Sequence, residues 1–241
     1  MTKHNLVNTV RHHSLFDPNI TGRIDVIGCG AIGSNVVLSI AKLGVENLHV
    51  WDFDNVESHN IANQLFSISD VGKPKVEAIR EIVKANTGLE ITAHNAVVRK
   101  KKQLGEIVVM CVDSMKARKE IFDNSLKHIS NVKLVVETRM GIDSIRCYTI
   151  CPTNLDHITK WEETLCKDED LHPEDAGICQ APISVGATAS IASNLATWQI
   201  IKWNNLAAAR ASHDSDRQLQ NIINNEIIVS LRPDEIIARV F

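Results

Sequence analysis

The sequence predicts an α/β fold, a doubly wound, mostly parallel sheet with antiparallel strands towards the C-terminus. Three observations predict it. Short apolar runs alternate with segments whose apolar residues recur at helical spacing. The first run ends in a glycine-rich turn, Gly28-Cys-Gly30-Ala-Ile-Gly33, placed directly before a helical segment. From Ser144 to Ile150 the pattern alternates, as an antiparallel strand requires. Strands alternating with helices imply parallel βαβ units joined by right-handed crossovers.

The elements follow in order. Arg23 to Gly28 reads as a buried strand, and Ala31 to Leu43 as a helix with Ile32, Val36, Val37, Ile40 and Leu43 on one face, stopped by Gly44. Asn47 to Trp51 is a second strand. Lys73 to Ala85 is a helix ended by Asn86-Thr-Gly88, followed by strands over Glu90 to Val98 and Glu106 to Val112. Met115 to His128 is helical and Lys133 to Val136 is a fifth strand. Thr153 to Ala176 is acidic and aperiodic, which reads as a mobile surface loop. Ser184 to Trp203 reads as a long buried helix. Asn204 to Asn225 is polar and expected to be loosely ordered. Glu226 to Leu231 and Ile236 to Phe241 flank Arg232-Pro-Asp-Glu235 as a strand pair.

The bulk numbers exclude several classes. Of 241 residues, 44% are hydrophobic and 23% charged, as in an ordinary soluble globular protein. A net charge of −3 gives no reason to expect nucleic acid or an anionic membrane as partner. Arg99-Lys-Lys-Lys102 is a local exception, read as a solvated turn before a contact patch. The uncharged stretch from Cys179 to Ile201 is interrupted by many polar residues, so a buried helix is expected, not a membrane span. Six cysteines without a regular framework, behind a polar N-terminus, lead us to expect free thiols and a cytoplasmic protein.

The chemistry-bearing residues lie at strand ends, where open α/β sheets bind ligands. Glycines at 28, 30 and 33 allow a tight turn and close approach of a phosphate to backbone N–H groups at a helix N-terminus. Asp52, ending the second strand, is placed to hold ribose hydroxyls or to cap a turn. Asn60, Asn63 and Gln64 form an amide-rich turn. Lys75 opens the next helix behind Pro74, either as an ordinary helix start or against an anion that offsets its conflict with the helix dipole. Asp113 ends the fourth strand and suits a magnesium ion, an N-cap, or both.

Together these motifs resemble the ThiF/MoeB/HesA branch of the ubiquitin-activating-enzyme superfamily. The matching residues are Gly28 to Ser34, Ile40-Ala-Lys-Leu-Gly44-Val45-Glu-Asn-Leu48, Asp52-Phe-Asp54-Asn-Val56 through Asn60 to Gln64, Gly72-Lys-Pro-Lys75, Asp113 to Arg118, and Ala176-Gly-Ile178. The resemblance spans roughly residues 20 to 203. It implies a Rossmann-like nucleotide-binding domain over 21–203, with an N-terminal arm before it and a polar linker and strand pair after it. It further implies ATP and magnesium as cofactors. The expected reaction is adenylation of the C-terminal carboxylate of a small ubiquitin-like or sulfur-carrier protein. On that resemblance Gly28, Gly30, Gly33, Asp52, Asp54, Asn60, Asn63, Gln64 and Lys75 bind nucleotide. Asp113 would hold magnesium, and Arg11 would reach into a homodimer partner's site.

The chain departs from the family pattern at Asn63, where an arginine that meets the phosphates is expected. Lys73, Arg118, Arg139 and Arg11 are candidate substitutes for its charge. The two CxxC pairs that hold zinc in many relatives are missing, so zinc is not expected. Cys179 is the candidate thioester cysteine, against the blander reading of an inert packed thiol, which also covers Cys166. Two other classes stay open: a non-catalytic nucleotide-binding partner subunit, and an NAD(P)-dependent oxidoreductase, which leaves Asn60, Lys75 and Asp113 unused.

Overall fold

The computed structural model describes residues 7–165, 184–212 and 222–241. Its centre is an eight-stranded sheet in the order β3-β2-β1-β4-β5-β6-β7-β8. The parallel part comprises β1 (Ile24–Ile27), β2 (Leu48–Asp52), β3 (Thr92–Asn95), β4 (Ile107–Met110) and β5 (Leu134–Met140). Three antiparallel strands extend it: β6 (Ser144–Ile150), β7 (Glu226–Leu231) and β8 (Asp234–Arg239). The order reverses at β1, with β2 on one side and β4 on the other. That switch point opens a crevice at the carboxyl ends of the strands.

Helices cover both faces because β1 and β4 are buried along their whole length. One face packs on α1 (Ala31–Lys42), α2 (Lys75–Thr87) and α5 (Gly186–Ser212), through Val36, Ile40, Val76, Ile79, Ala192 and Ile200. The other packs on α3 (Met115–Ile121) and α4 (Leu155–Glu162), through Ile121, Ile158 and Trp161, with Val98 and Leu104 from the β3–β4 connection. The helix stops follow the sequence. Gly44 (φ +88°) ends α1 and Gly88 (φ +76°) ends α2, both in the left-handed region that glycine adopts without strain.

Several elements differ from their expected bounds. The fifth strand runs to Met140, four residues past its apolar run, because β6 pairs with it from Val135 to Met140. The helix expected over 115–128 passes into a single π turn at Phe122–Leu126. Part of the expected mobile loop is helix α4, whose N–H groups at Asp156 and His157 are capped by the Asn154 side chain. Residues 166–176 of that loop lie outside the described residues. The stretch expected to be loose from Asn204 continues α5 to Ser212. Asn204 is buried there and its amide bonds the Asp17 carbonyl at 2.9 Å and Thr21 Oγ1 at 2.6 Å, tying the N-terminal segment to the helix. Nor is α5 buried all round, since Trp198 is 49% exposed. No helix among the described residues is long and apolar enough to cross a membrane.

Candidate active site

The carboxyl edge of the parallel strands gathers most of the expected residues. Gly28 takes φ +92°, and a Cβ there would lie 2.8 Å from the Cys111 carbonyl oxygen. The end of β1 thus lies directly against the end of β4, which leads to Asp113. A Cβ on Gly33 would fall 1.8 Å from the Gly28 carbonyl oxygen, so only glycine lets α1 start this close to its strand. Around Gly30 a Cβ would meet nothing within 4 Å, and its side gives α1 no capping side chain. That open cradle, facing the unpaired N–H groups of a helix start, fits a phosphate.

Asp52 is 9% exposed, and its two oxygens accept the N–H groups of Cys29 (2.6 Å) and Asp54 (2.8 Å). It fastens the glycine loop to the turn after β2, which is the turn-capping role left open by the sequence. That turn runs into a 3-10 segment, Ser58–Ala62, where buried Asn60 accepts the Glu57 N–H at 2.9 Å. Asn63 donates weakly to the Ser184 carbonyl at 3.4 Å. Its Oδ1 and the Oε1 of Gln64 are buried without hydrogen-bond partners. Rotating either amide end over end would present an N–H₂ group to an anion instead.

Lys75 is 8% exposed at the first position of α2, and its amine lies 3.0 Å from Asp54 Oδ2. The anion that offsets its clash with the helix dipole is therefore Asp54 within the chain. Asp54 is half-exposed and well placed to yield the amine to a phosphate. Asp113 is exposed, one residue before Ser114, the cap of α3. Among the described residues no three His, Cys, Asp or Glu side chains converge to hold a metal. A magnesium ion needs no such cage, since it is commonly held by one or two carboxylates together with substrate phosphates. An exposed carboxylate beside the phosphate cradle fits that donor set.

Other expected residues are not gathered here. Arg11 is exposed in a turn whose Thr9 lies against Gly44, at the far end of α1, about 18 Å along the helix from the glycine loop. Lys73 is held by Asp70 (3.1 Å) and Glu81 (2.7 Å), while Arg118 and Arg139 are both bonded to Glu137. None of these three stands ready to replace the missing arginine. Cys179 and Cys166 lie outside the described residues. Burial pushes the thiols of Cys29 and Cys147 well up and that of Cys111 to about 11, so none supplies a thiolate. Cys151 follows β6 at the opposite end of the sheet.

Two features were not read from the sequence. One is Glu137, fully buried on β5 with two arginines and a tryptophan as donors. A carboxylate ending the apolar run Leu134-Val-Val was its signal. The other is Trp51, stacked on His94 at 3.7 Å between ring centres, with its Nε1–H donated to buried Asp25 at 2.6 Å. His94 in turn meets His49 at 3.0 Å.

Burial chiefly, and then Arg23, lowers the pKa of both His49 and His94, and burial lowers that of His157. A base with a lowered folded pKa is protonated first in the unfolded chain. Its contribution to stability is complete above pH 6.5 and is lost as pH falls through the folded value. Urea midpoints are therefore expected to fall between pH 7.5 and 5.5, and His94→Gln to flatten that decline. An equal slope in the variant would show that the pair is not its source.

A family model described as the ThiF family matches residues 20–226. The chain belongs to the ThiF family. It is 35% identical over 130 residues to the NEDD8-activating enzyme E1 catalytic subunit of Arabidopsis thaliana, covering 46% of this chain and 29% of that protein. It is 31% identical over 106 residues to the molybdopterin-synthase adenylyltransferase of Escherichia coli, covering 41% and 43%. The chain thus spans less than half the length of these curated relatives. The fold is also that of Escherichia coli MccB solved with ATP, at a TM-score of 0.65 and 17% identity, over 94% of this chain and 66% of that one.

Proposed function

We propose that this ThiF-family protein is an ATP-dependent adenylyltransferase. It activates the C-terminal carboxylate of a small ubiquitin-like or sulfur-carrier protein, or of a peptide. The observation that carries the reading is the convergence, at one sheet edge, of an open glycine cradle, a buried lysine amine and an exposed aspartate. The names of the relatives, an E1 catalytic subunit and an adenylyltransferase, support it further.

In the reaction a carboxylate oxygen forms a bond to the α-phosphorus and the bond to the β-phosphate oxygen breaks. The products are an acyl adenylate and pyrophosphate. The nucleophile is already ionised, so no general base is required. The difficulty is charge: an anion must approach a polyanion. Backbone N–H groups at the start of α1 take phosphate charge, and Lys75 stabilises the charge that builds on the leaving group. Asp113 would hold a magnesium ion, which would supply further neutralisation of the phosphates. Asp52 holds the ribose while it fastens the loop. Asn60, Asn63 and Gln64 line the turn above the phosphates with amides.

With Asn63 neutral, one positive charge remains to be supplied. We assign it to Arg11 of the partner subunit in a homodimer, since the arm lies too far from the site of its own chain. Free cysteines suit a cytoplasmic location, and neither nucleic acid nor a membrane is a partner in this reading. The neutral Asn63 also motivates a second reading, a non-catalytic nucleotide-binding subunit that supports an active one.

The test is ATP–pyrophosphate exchange with candidate carboxylate partners. Exchange is expected in the wild type and a loss of at least about 100-fold in Asp113→Ala. ATP binding without exchange for every partner would favour the supporting-subunit reading. Measurable NADH binding without ATP binding would overturn both.

A further inference from the structure

Asp113 lies just beyond the strands of the sheet. The pairing of β4 with β5 ends at Met110 opposite Glu137, three residues before Asp113. Beyond that point the Cys111 N–H still bonds the Ile27 carbonyl of β1 at 2.8 Å, and consecutive residues of β5 hold the chain on either side of Asp113. On the near side, Thr138 Oγ1 lies 3.6 Å from Cys111 Sγ. On the far side, Arg118 of α3 bonds the Thr138 carbonyl at 2.8 Å and the Glu137 carboxylate. The Arg118 N–H closes the first turn of α3 on the Ser114 carbonyl at 3.0 Å, so fixing Arg118 fixes the residue next to Asp113.

Glu137 is the centre of this arrangement. It is fully buried, and besides Arg118 it accepts from Arg139 Nε (3.1 and 3.0 Å) and from Trp161 Nε1 (3.1 Å). Arg139 then reaches across to the Thr164 carbonyl (2.8 Å) and hydroxyl (3.0 Å). The carboxylate thus has two arms, one towards Asp113 through Arg118 and one towards the end of α4 through Arg139. Glu137 reaches the residue next to Asp113 through Arg118 and the backbone of Ser114, a more remote support than the outer-shell partners that bond metal ligands directly.

We propose that Glu137 is a positioning residue: acting through Arg118, it holds the first turn of α3 so that Asp113 presents its carboxylate to the divalent cation. The inference rests on the reading of Asp113 as the holder of that cation. It predicts that the Arg118 arm, and not the Arg139 arm, controls cation affinity.

The experiment uses the full chain with Mn²⁺ as probe, its free fraction read by electron paramagnetic resonance in the presence of a non-hydrolysable ATP analogue. Thermal midpoints are measured alongside. Glu137→Gln is expected to weaken Mn²⁺ binding about 10-fold. Arg118→Lys, which keeps the charge but loses the forked grip, is expected to do the same and serves if Glu137→Gln fails to fold. Thr164→Val, which removes the hydroxyl contact of the other arm and leaves its carbonyl contact, should lower the thermal midpoint and leave Mn²⁺ affinity unchanged. Asp113→Asn should weaken binding at least as much as Glu137→Gln, and the double variant no further.

Wild-type affinity in both Glu137→Gln and Arg118→Lys, with Asp113→Asn impaired, would overturn the positioning role and leave the reading of Asp113 intact. Additive losses in the double variant would overturn it too. Unchanged affinity in Asp113→Asn would remove the reading of Asp113 itself, and the positioning role with it.

Discussion

Gly30→Ala is expected to leave the protein as stable as the wild type while ATP affinity falls at least about 10-fold, and Gly33→Ala is expected to damage both. The two glycines stand three residues apart in one turn but face different surroundings. At Gly33 a Cβ would sit 1.8 Å from one backbone oxygen and 2.8 Å from the carbon of the same carbonyl. Backbone cannot swing aside as a side chain can, so α1 must move away from β1. The cost of such overpacking is about 1–3 kcal/mol, and in a chain of this size each kcal/mol lowers the thermal midpoint by about 2–4 °C. At Gly30 φ is −75°, outside the left-handed region that favours glycine, and a Cβ would touch nothing within 4 Å. The methyl group would instead occupy the cradle where a phosphate approaches the N–H groups of α1. Thermal melting with and without ATP separates the two effects. Undiminished ATP stabilisation of Gly30→Ala would mean that the phosphates lie elsewhere.

The candidate site was legible in the sequence wherever its geometry is local. The glycine turn, Asp52 and Lys75 each sit beside the strand or helix end that orients them, so spacing alone located them. What the sequence hid depends on contacts between distant segments. The last four residues of β5 include Glu137 and Arg139, which break the apolar pattern. They form strand because β6 pairs with them and because Arg118 and Trp161 satisfy the buried charge. Helix α4 hid for a different reason. It spans only eight residues with two buried anchors, Ile158 and Trp161, too few to show a period. The Asn154 cap followed by Asp156 was its one local signal. The full length of α5 escaped notice because Asn204 and Asn205 look like loop residues. They are buried, and Asn204 is satisfied by bonds to residues 17 and 21.

Lys75→Met is expected to reduce ATP–pyrophosphate exchange by about 10²–10³-fold, the loss seen when one preorganised donor to a developing negative charge is removed. The buried amine pairs with Asp54 at 3.0 Å, and two roles fit that pair. In one, the amine stabilises the leaving pyrophosphate and Asp54 only parks it between turnovers. In the other, the ion pair anchors the turn after β2 to α2 and takes no part in the reaction. The turn has its own ties to α2: Lys75 N–H to the Asp54 carbonyl at 2.9 Å, and Val56 N–H to the Lys73 carbonyl at 2.8 Å. It does not need the side-chain pair to stay in place. Asp54 is also half-exposed, and a pair with such a carboxylate is worth about 0–1 kcal/mol. Asp54→Asn should therefore change exchange by no more than about fivefold, in contrast to Lys75→Met. Lys75→Arg should recover little, because a planar fork cannot replace a compact ammonium in a buried slot shaped by α2. Equal losses in Asp54→Asn and Lys75→Met would reverse the assignment and make the pair a strut. Separate losses would leave the amine as the cation that the chain itself brings to the phosphates.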